Sequence, residues 1–540
     1  MQELQAALKG ACKELFNVEV EPELTRPDEK FGDFATNAAL QLGKQLGKNP
    51  NEIAVALAGK MHALDNVADA QIAGPGFINI KLTDEYLGRL AMEATNLPRP
   101  LAGQEILVEF GDPNPFKEMH IGHLYSYIVG DTIASLLTVL GAKVKRLSYH
   151  GDVGLHVAKT IWALQKANAA NPDMDDIGKY YAQGAKAYED DAGAKEEILA
   201  INRHIYDNDN QEINKIYEAG NRASFAAFDK ILDLLSISTD KRYLESEVVD
   251  KALSVVKANT GKVFKESRGA IIYDGEKVGL HTRVFITSKG LPTYDAKDLG
   301  LAELKGKNFP GAERSMIITA NEQAEYFKVM LAALAEISPE LAKKTTHLTH
   351  GFVNLSTGKM SSRTGDVYAA WDLLMEVKDA VHKQYPDSPV QKPVTLGAVK
   401  YAFLKHRLGS NIVLDVKESI SLEGNSGPYL QYAHARASSI LAKSNKHRQQ
   451  KHIEFDTSER SLARKISEYP EAIAKAAEEL MPHHICTYLY ELAQAFNRFY
   501  EESRIIGSER EPQRAELTGA YRNVLASGLE IISITAPDKM

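Results

Sequence analysis

Cysteine is almost absent from this chain of 540 residues, which contains only Cys12 and Cys486, far apart in the sequence. Two thiols cannot form a disulfide framework or a zinc site built from cysteines, so small disulfide-stabilised folds and zinc-ribbon folds are excluded. Such low cysteine usage is typical of proteins from a reducing compartment.

Long apolar runs are missing as well. No segment approaches the roughly 20 consecutive apolar residues that a membrane-spanning helix needs. The first segment of the sequence, MQELQAALKGACKELF, carries early acidic residues and no extended apolar core, so we expect that it is not a secretory signal. We therefore expect a cytoplasmic protein with no membrane partner.

The chain also has no excess of positive charge. Its 64 Lys and Arg residues are outnumbered by 72 Asp and Glu residues, which gives a net charge of −8. This balance excludes a broadly basic nucleic-acid-binding protein, and any nucleic-acid surface must be a local patch. The hydrophobic fraction of 44% and the charged fraction of 25% are globular values. The length predicts three or four domains.

Residues 1–92 are predicted to form a small α+β domain. The pattern predicts a helix from Phe34 through Gly43, another amphipathic helix after Asn49-Pro50, and then short strands. The segment Leu97-Pro98-Arg99-Pro100 that follows is typical of a linker.

A strand, a turn, a helix and a second strand come next. The apolar run Ile106–Phe110 predicts the first strand, and apolar residues at helical spacing from Ile121 to Leu140 predict the helix, which Gly141 ends. The second strand is predicted at Val144–Tyr149. This order indicates an α/β fold with an open parallel sheet.

The rest of the chain divides around this sheet. We expect the sheet domain to span residues 100–410 and to contain a helical insertion near residues 165–235, which are rich in Ala, Asp, Glu, Asn and Lys. Helical patterns dominate residues 411–540.

The first motif that indicates chemistry is His120-Ile121-Gly122-His123. With 16 His and 37 Gly in the chain, H-x-G-H should occur by chance about 0.03 times. The motif begins a helix after a strand and a turn, where free N–H groups and the helix dipole favour a phosphate. Gly122 permits close approach of a phosphate or a flat ring, and the imidazoles of His120 and His123 can donate to phosphate oxygens. Two surface histidines, or a zinc-binding pair, stay open as alternatives.

The second motif is Lys359-Met360-Ser361-Ser362-Arg363, which follows a strand-like segment and a turn. A small loop of this kind can fold over a triphosphate. Lys359 and Arg363 would neutralise charge as pyrophosphate leaves, and hydroxyls such as that of Ser361 would bind oxygens. A solvated basic loop is the alternative.

Together the two motifs resemble the HIGH and KMSKS signatures of the class I aminoacyl-tRNA synthetases. The first signature is unaltered, whereas Ser362 stands at the position of the family's second lysine. Further matches make the chain most similar to the arginyl-tRNA synthetases: Val108-Glu109-Phe110, Pro113-Asn114-Pro115, Lys117, Gly151-Asp152, Tyr294 with Asp298, and the run Gly427–Arg436.

This resemblance covers essentially the whole chain and implies its architecture. The implied fold is a Rossmann-type parallel-sheet catalytic domain with a helical insertion. It is flanked by an N-terminal α+β domain that contacts the tRNA elbow and a C-terminal all-α anticodon-binding domain.

The resemblance also implies an arginine site. It gives Glu109 and Asn114 to the α-amino and carboxylate end of arginine, Tyr294 and Asp298 to the guanidinium, and Gln323 to the lining of the pocket. These residue types suit a guanidinium, which needs planar carboxylate or amide acceptors that are held rigidly. The alternative for Tyr294 and Asp298 is an ordinary pair at i, i+4 spacing near the start of a helix.

Lys117 lies three residues before His120. By resemblance, a lysine at this place contacts phosphate in arginine enzymes that lack the usual second loop lysine. Because Ser362 replaces that loop lysine here, we expect Lys117 to compensate for it.

Four residues are predicted to contact tRNA. Phe77 and Asn79 match positions that read a D-loop base, and a ring with an amide suits an unpaired base. A strand with a core phenylalanine is the alternative. Tyr432 and Arg436 begin the anticodon-binding region, and the basic residues from Arg436 to Lys465 predict a local surface for the RNA backbone, with a solvated helical face as the alternative.

The implied reaction is a two-step ligation. The carboxylate of L-arginine attacks the α-phosphate of ATP, with Mg²⁺ on the leaving pyrophosphate, and the arginyl group then passes to the terminal ribose of tRNA(Arg). We expect a monomer that holds no zinc or other bound cofactor and needs no protein nucleophile. Three other readings stay open: a nucleotidylyltransferase, which shares the H-x-G-H turn, an inactive tRNA-binding relative, and another class I synthetase.

Overall fold

The computed structural model describes residues 2–356, 368–444 and 454–540. The second motif, with Lys359, Ser361 and Arg363, lies outside the described residues.

The N-terminal domain packs helices on an antiparallel sheet. Its elements are α1 (Gln2–Phe16), β1 (Leu24–Thr25), β2 (Phe34–Thr36), α2 (Ala38–Leu46), α3 (Pro50–His62), β3 (Val67–Ala73), β4 (Phe77–Leu82) and α4 (Asp84–Met92). The strand order is β1-β2-β4-β3.

The helix predicted from Phe34 is wrong at its start. Phe34 and Thr36 are buried and lie in β2, which pairs with β4. The helix begins only at Ala38, whose N–H donates to the Thr36 hydroxyl at 3.2 Å. Burial against β4 therefore overrides the helical pattern of the first three residues.

The second domain is built on a parallel sheet, as the sequence predicted. Its elements are β5 (Glu105–Phe110), α5 (Ile121–Val139), β6 (Lys143–His150), α6 (Leu155–Lys166), α7 (Met174–Asp190), α8 (Ala192–Asp207), α9 (Gln211–Leu235), β7 (Lys241–Leu244), α10 (Glu245–Ala258), β8 (Phe264–Ser267), β9 (Ala270–Tyr273), β10 (Arg283–Ile286), α11 (Tyr294–Asn308), β11 (Ala312–Ala320), α12 (Ala324–Ile337), α13 (Pro339–Lys344), β12 (Thr345–His350), β13 (Val353–Leu355), α14 (Ala370–Gln384) and α15 (Gln391–Leu404). The helical insertion is present as α7, α8 and α9.

The central sheet has five parallel strands in the order β12-β11-β5-β6-β7. The chain starts in the middle at β5, proceeds outward through β6 and β7, and later returns to the other side of β5 with β11 and β12. The strand order thus reverses between β5 and β11, and open sheets of this type bind ligands beyond the carboxyl ends of the strands at that point. A separate antiparallel sheet has the order β10-β9-β8.

Helices form most of the C-terminal region. Its elements are β14 (Ile412–Leu414), α16 (Val416–Ser419), α17 (Gly427–Lys443), α18 (Thr457–Ser467), α19 (Tyr469–Glu479), α20 (His483–Glu502) and α21 (Glu511–Ile531). The short strand β14 pairs with β13 and connects this region to the second domain. Of the described helices, none is both long enough and apolar enough to cross a membrane.

Candidate active site

A cavity of about 1040 Å³ lies at the carboxyl ends of β5 and β11. Every described residue that the sequence predicted for catalysis or for arginine binding lines it: Glu109, Asn114, Lys117, His120, Gly122, His123, Tyr294, Asp298 and Gln323. The fold thus brings together residues from three distant segments of the chain. Their individual roles stay predictions.

The two histidines of the first motif cap α5 through their own rings. His120 Nδ1 accepts the N–H groups of Gly122 and His123 at 3.1 and 3.3 Å, and the His120 N–H donates to His123 Nδ1 at 3.3 Å. The rings stack with their centroids 3.6 Å apart. Because each Nδ1 accepts a backbone N–H, each neutral ring carries its proton on Nε2.

This cap corrects one expectation. The first amides of α5 are not free for a phosphate, because those of Gly122 and His123 bind His120 and that of Ile121 donates to the Tyr368 carbonyl at 3.0 Å. Gly122 makes room for the His120 ring rather than for a phosphate, since a Cβ there would lie 3.0 Å from that ring. The groups left to meet a phosphate are the two Nε2–H donors.

Both rings of this pair are neutral donors. Burial, and to a smaller extent the charges of Lys117 and His350, lowers the pKa of His120 to about 4. Burial and His120 hold the pKa of His123 well below its usual value. The pair therefore offers hydrogen bonds without positive charge at neutral pH.

Lys117 is positioned by the helical insertion. The preceding Phe116 has a φ of +62°, is fully buried, and donates its N–H to the Ser224 hydroxyl at 3.0 Å. Gly220 on α9 makes room for it, since a Cβ there would lie 2.2 Å from the Phe116 ring. The Lys117 ammonium lies 5.1 Å from the ring centroid of Tyr181 on α7. Sequence analysis predicted no role for the insertion in the site, because this contact joins segments that are distant in the sequence.

Asp298 lies buried on α11 at the wall of the cavity. Tyr326 donates its hydroxyl to Asp298 Oδ2 at 2.9 Å and lies 3.4 Å from Gln323 Oε1. Burial raises the pKa of Asp298, the Tyr326 hydrogen bond opposes this rise, and the charges of Glu109 and Glu245 add to it, so that the pKa lies at about 8. Sequence analysis missed Tyr326, which stands three residues after Gln323, one turn along the chain.

Glu109 already has a cationic partner. Lys305 on α11 lies with its ammonium 3.0 Å from Glu109 Oε2, and both side chains are buried. The Asn114 oxygen accepts the N–H of Gly151 at 3.0 Å, so the Asn114 amide group remains as a donor. A Cβ at Gly151 would lie 2.6 Å from that oxygen, which requires glycine there.

The residues predicted to read the tRNA elbow share one face of β4. The Phe77 side chain is 41% exposed, so the alternative of a core phenylalanine is wrong. Asn79 is two residues on and points to the same side, whereas Ile78 and Ile80 are buried on the other face.

Tyr432 and Arg436 lie one turn apart on α17. Tyr432 is 43% exposed, and the Arg436 guanidinium stacks 4.2 Å from the ring centroid of Tyr500 on α20. Tyr500 is also exposed. The three side chains form a patch with two rings and one planar cation, groups on which unpaired bases can stack.

Three of the described basic residues further along are paired within the chain. Arg460 pairs with Asp33 and Asp84 of the N-terminal domain, and Arg464 donates to a backbone carbonyl of that domain. Lys465 pairs with two glutamates of the C-terminal region, Glu468 and Glu491. The prediction is wrong for these three residues, because their charges are paired with groups of the same chain. Three further members lie outside the described residues: Lys446, Arg448 and Lys451.

Comparisons with known proteins agree along the whole chain. Three family models match in succession: the arginyl-tRNA synthetase N-terminal domain at residues 2–82, the class I (R) tRNA synthetase catalytic domain at residues 90–415, and the DALR anticodon-binding domain at residues 430–540. The arginine–tRNA ligase of Bdellovibrio bacteriovorus is 31% identical and is matched over 95% of this chain and 93% of its own length. That of Lactobacillus delbrueckii is 30% identical, with 99% and 98% covered.

Solved structures agree with this match. Arginyl-tRNA synthetase from Thermus thermophilus superposes with a TM-score of 0.82 at 28% identity, and both chains are covered completely. The Plasmodium falciparum arginyl-tRNA synthetase shares the fold, with a TM-score of 0.80 at 19% identity over 100% of this chain and 99% of its own. From its sequence, its three successive domains and its fold, this chain belongs to the arginyl-tRNA synthetase family of class I.

Proposed function

We propose that this chain attaches L-arginine to tRNA(Arg) through an arginyl-adenylate and that its residues divide the work as follows. The observation that carries the proposal is that a single cavity contains both the neutral imidazole pair of the HIGH motif and the buried carboxylate of Asp298. The first suits the phosphates of ATP, and the second suits the guanidinium of arginine.

The arginine side chain enters toward α11 and α12. Asp298 accepts from the guanidinium, and Tyr294 and Gln323 complete its surroundings. Asn114 directs its amide group to the carboxylate of the substrate, because its oxygen is held by Gly151. Glu109 acts at the same end, with Lys305 bound behind it.

ATP enters as its magnesium complex and meets the start of α5. His120 and His123 donate from Nε2 to phosphate oxygens, and Lys117 brings the positive charge that the neutral rings lack. Lys359, Ser361 and Arg363 act on the leaving pyrophosphate. The arginine carboxylate is itself the nucleophile, so the protein contributes positioning and electrostatic stabilisation.

The proposed tRNA contacts lie at both ends of the chain. Residues 1–92 contact the elbow through Phe77 and Asn79, and residues 411–540 contact the anticodon through Tyr432 and Arg436, with the catalytic domain of residues 100–410 between them. We propose a cytoplasmic monomer that works without zinc. Light scattering of the purified chain should give the mass of one chain, and dialysis against a chelator followed by MgATP should restore full activity.

Charging of total tRNA with labelled arginine tests the reaction. Arginine should become attached in the presence of ATP and not in its absence, while lysine and cysteine should not become attached at all. Tight binding of tRNA without any charging would instead favour an inactive relative. Neither charging nor binding would favour a transferase that acts on small molecules.

A further inference from the structure

The anticodon-binding helices contact the end of the strand that carries the elbow residues. The guanidinium of Arg460, on α18, donates to the carbonyl of Leu82 at 3.1 Å, and Leu82 is the last residue of β4. The same guanidinium donates to Asp33 Oδ2 at 2.5 Å and to Asp84 Oδ1. Asp33 Oδ2 in turn accepts the N–H of Leu82 at 2.8 Å. One side chain therefore binds the backbone of β4 and two carboxylates beside it.

These groups lie between the two domains rather than on the outer surface. The side chain of Arg460 is 16% exposed, and those of Asp33 and Asp84 are 2% and 23% exposed. A buried carboxylate such as Asp33 is costly without a cation, so the arrangement that brings Arg460 to it is favoured. Because a guanidinium is planar and its donors point in fixed directions, these contacts also set the angle at which the domains meet.

Further contacts join the same two domains beside this one. Arg26 of the N-terminal domain donates to both carboxylate oxygens of Glu471 at 2.9 Å. Asp84 Oδ2 accepts the N–H of Phe455 at 3.0 Å. The N-terminal domain is thus held directly to the anticodon-binding region, in addition to the chain that connects it to the catalytic domain.

The position of β4 relative to α17 matters because both carry proposed contacts to the same tRNA. The elbow contact uses Phe77 and Asn79 on β4, and the anticodon contact uses Tyr432 and Arg436 on α17. A folded tRNA holds its elbow and its anticodon at a fixed distance. When two sites bind one molecule, the second contact adds affinity only if the connection between the sites matches that span. A connection that is rigid before binding also lowers the entropy cost of binding.

We propose that Arg460 is a positioning residue for tRNA binding. By holding the end of β4 against α18, it keeps the elbow contact at the distance from the anticodon contact that tRNA requires. Its guanidinium is bound to the N-terminal domain, so it acts through Phe77 and Asn79 rather than on tRNA itself. This inference rests on the proposed function, since it concerns how the two proposed tRNA contacts are held.

The test measures the KM for tRNA in charging by the full-length chain, at a temperature where each variant is folded. Phe77→Ala should raise this KM about tenfold, a typical effect of losing one stacked base. Arg460→Ala should raise it by a similar factor and leave kcat and the KM for arginine unchanged. The double variant should be no worse than Phe77→Ala, because a contact already out of position has nothing further to lose. Independent effects would instead multiply to about a hundredfold.

Arg514 provides a matched control within the C-terminal region. Its side chain is 12% exposed, and like Arg460 it binds two carboxylates and one backbone carbonyl, those of Asp456, Glu459 and Arg504. Arg514→Ala should lower stability and leave the KM for tRNA unchanged. The tenfold effect of Phe77→Ala should persist in that background, which separates positioning of the elbow contact from a general loss of stability.

Two results would overturn the inference: an unchanged KM for tRNA in Arg460→Ala, or effects of Arg460→Ala and Phe77→Ala that multiply. If Arg460→Ala does not fold, Asp84→Asn replaces it. This variant removes one carboxylate partner, keeps an oxygen for the Phe455 N–H, and must show the same lack of additivity with Phe77→Ala.

Failure of the proposed function gives different results. If the unsubstituted chain does not charge tRNA with arginine, the proposed reaction itself fails. If it charges tRNA but Phe77→Ala has no effect on the KM for tRNA, the proposed elbow contact fails and the inference fails with it. An effect of Phe77→Ala without an effect of Arg460→Ala overturns the inference alone.

Discussion

Two buried carboxylates in different regions of this molecule differ in how far the chain satisfies their charge. Glu459 in the anticodon-binding helices is fully buried and accepts hydrogen bonds from Arg510, Gln513 and Arg514, each with a contact at 2.8 Å. Asp298 in the catalytic domain is also buried, yet it accepts only one hydrogen bond among the described residues, from the Tyr326 hydroxyl.

The pairing of a buried carboxylate distinguishes a charge that stabilises the fold from a charge that binds a ligand. A buried ion is costly unless it is paired, so Glu459 is satisfied within the chain and contributes to structure. Asp298 pairs with no cation among the described residues, and burial without such a partner raises its pKa. An arginine guanidinium would supply what Arg510 and Arg514 supply to Glu459.

The largest effect is expected for Asp298→Asn. The variant keeps the shape and an oxygen for Tyr326 but loses the charge that the guanidinium requires. Since an unpaired buried charge costs about 3–5 kcal/mol, kcat/KM for arginine should fall by a factor of about 100 or more. Steady-state charging measures this, and urea unfolding should show no loss of stability. A variant that loses stability instead of arginine affinity would contradict the comparison.

Glu459→Gln should show the reverse pattern. Removing this charge leaves the partly exposed Arg510 beside a neutral amide and leaves the buried Arg514 with Asp456 as its carboxylate partner, so the free energy of unfolding should fall by about 3 kcal/mol, the lower end for breaking a buried ion pair. Urea unfolding followed by circular dichroism measures the change. The KM for arginine, taken at a temperature where the variant is folded, should match that of the unsubstituted chain. A large rise in that KM would show that Glu459 also serves the active site.

The same comparison applies to cations. Arg460 is bound to two aspartates of the N-terminal domain, whereas Lys117 pairs with no carboxylate among the described residues and faces the Tyr181 ring. Lys117→Ala should therefore slow adenylate formation about 10- to 100-fold, the worth of a hydrogen bond to a charged group, and leave arginine binding almost unchanged. ATP–pyrophosphate exchange in the presence of tRNA measures the first quantity.

A matched lysine provides the control for Lys117. Lys195 lies 5.1 Å from the ring centroid of Tyr188 in the helical insertion, the same distance as Lys117 from Tyr181, but it does not line the cavity. Lys195→Ala should leave exchange at the rate of the unsubstituted chain. Equal exchange rates in Lys117→Ala and the unsubstituted chain would remove Lys117 from the phosphate site.

The parts of this site that could be predicted were local in sequence. The strand before His120 and the helix after it follow from apolar spacing, and the histidine motif stands at their junction. The partners of the charges could not be predicted, because Glu109 and Lys305 are 196 positions apart and meet only through the fold. Whether a carboxylate is satisfied, as Glu459 is, or unsatisfied, as Asp298 is, depends on such distant partners and leaves no pattern in the sequence.

The smallest effect is a pH dependence that an unsatisfied carboxylate should produce and a satisfied one should not. With a folded pKa of about 8, Asp298 is mostly protonated at pH 7, and binding of the guanidinium requires release of that proton. The KM for arginine should thus fall by up to about tenfold per unit as pH rises from 6 toward 8 and then level off. Glu109, Glu245 and Lys305 face the same carboxylate, and the first two raise its pKa while the lysine lowers it.

The pH dependence of stability has the opposite sign to the pH dependence of arginine binding. The unfolded chain releases the proton of Asp298 near pH 3.9, whereas the folded chain holds it to about 8, so ionisation of this group lowers stability as pH rises between these values. Saturating arginine should restore that stability, and Asp298→Asn should lack both the loss and the restoration. Thermal unfolding from pH 5 to pH 9, with and without arginine, measures both. A stability change with pH that persists in Asp298→Asn would assign the titration to another group. Asp112 is the nearest candidate, because its carboxylate lines the same cavity and also pairs with no cation among the described residues.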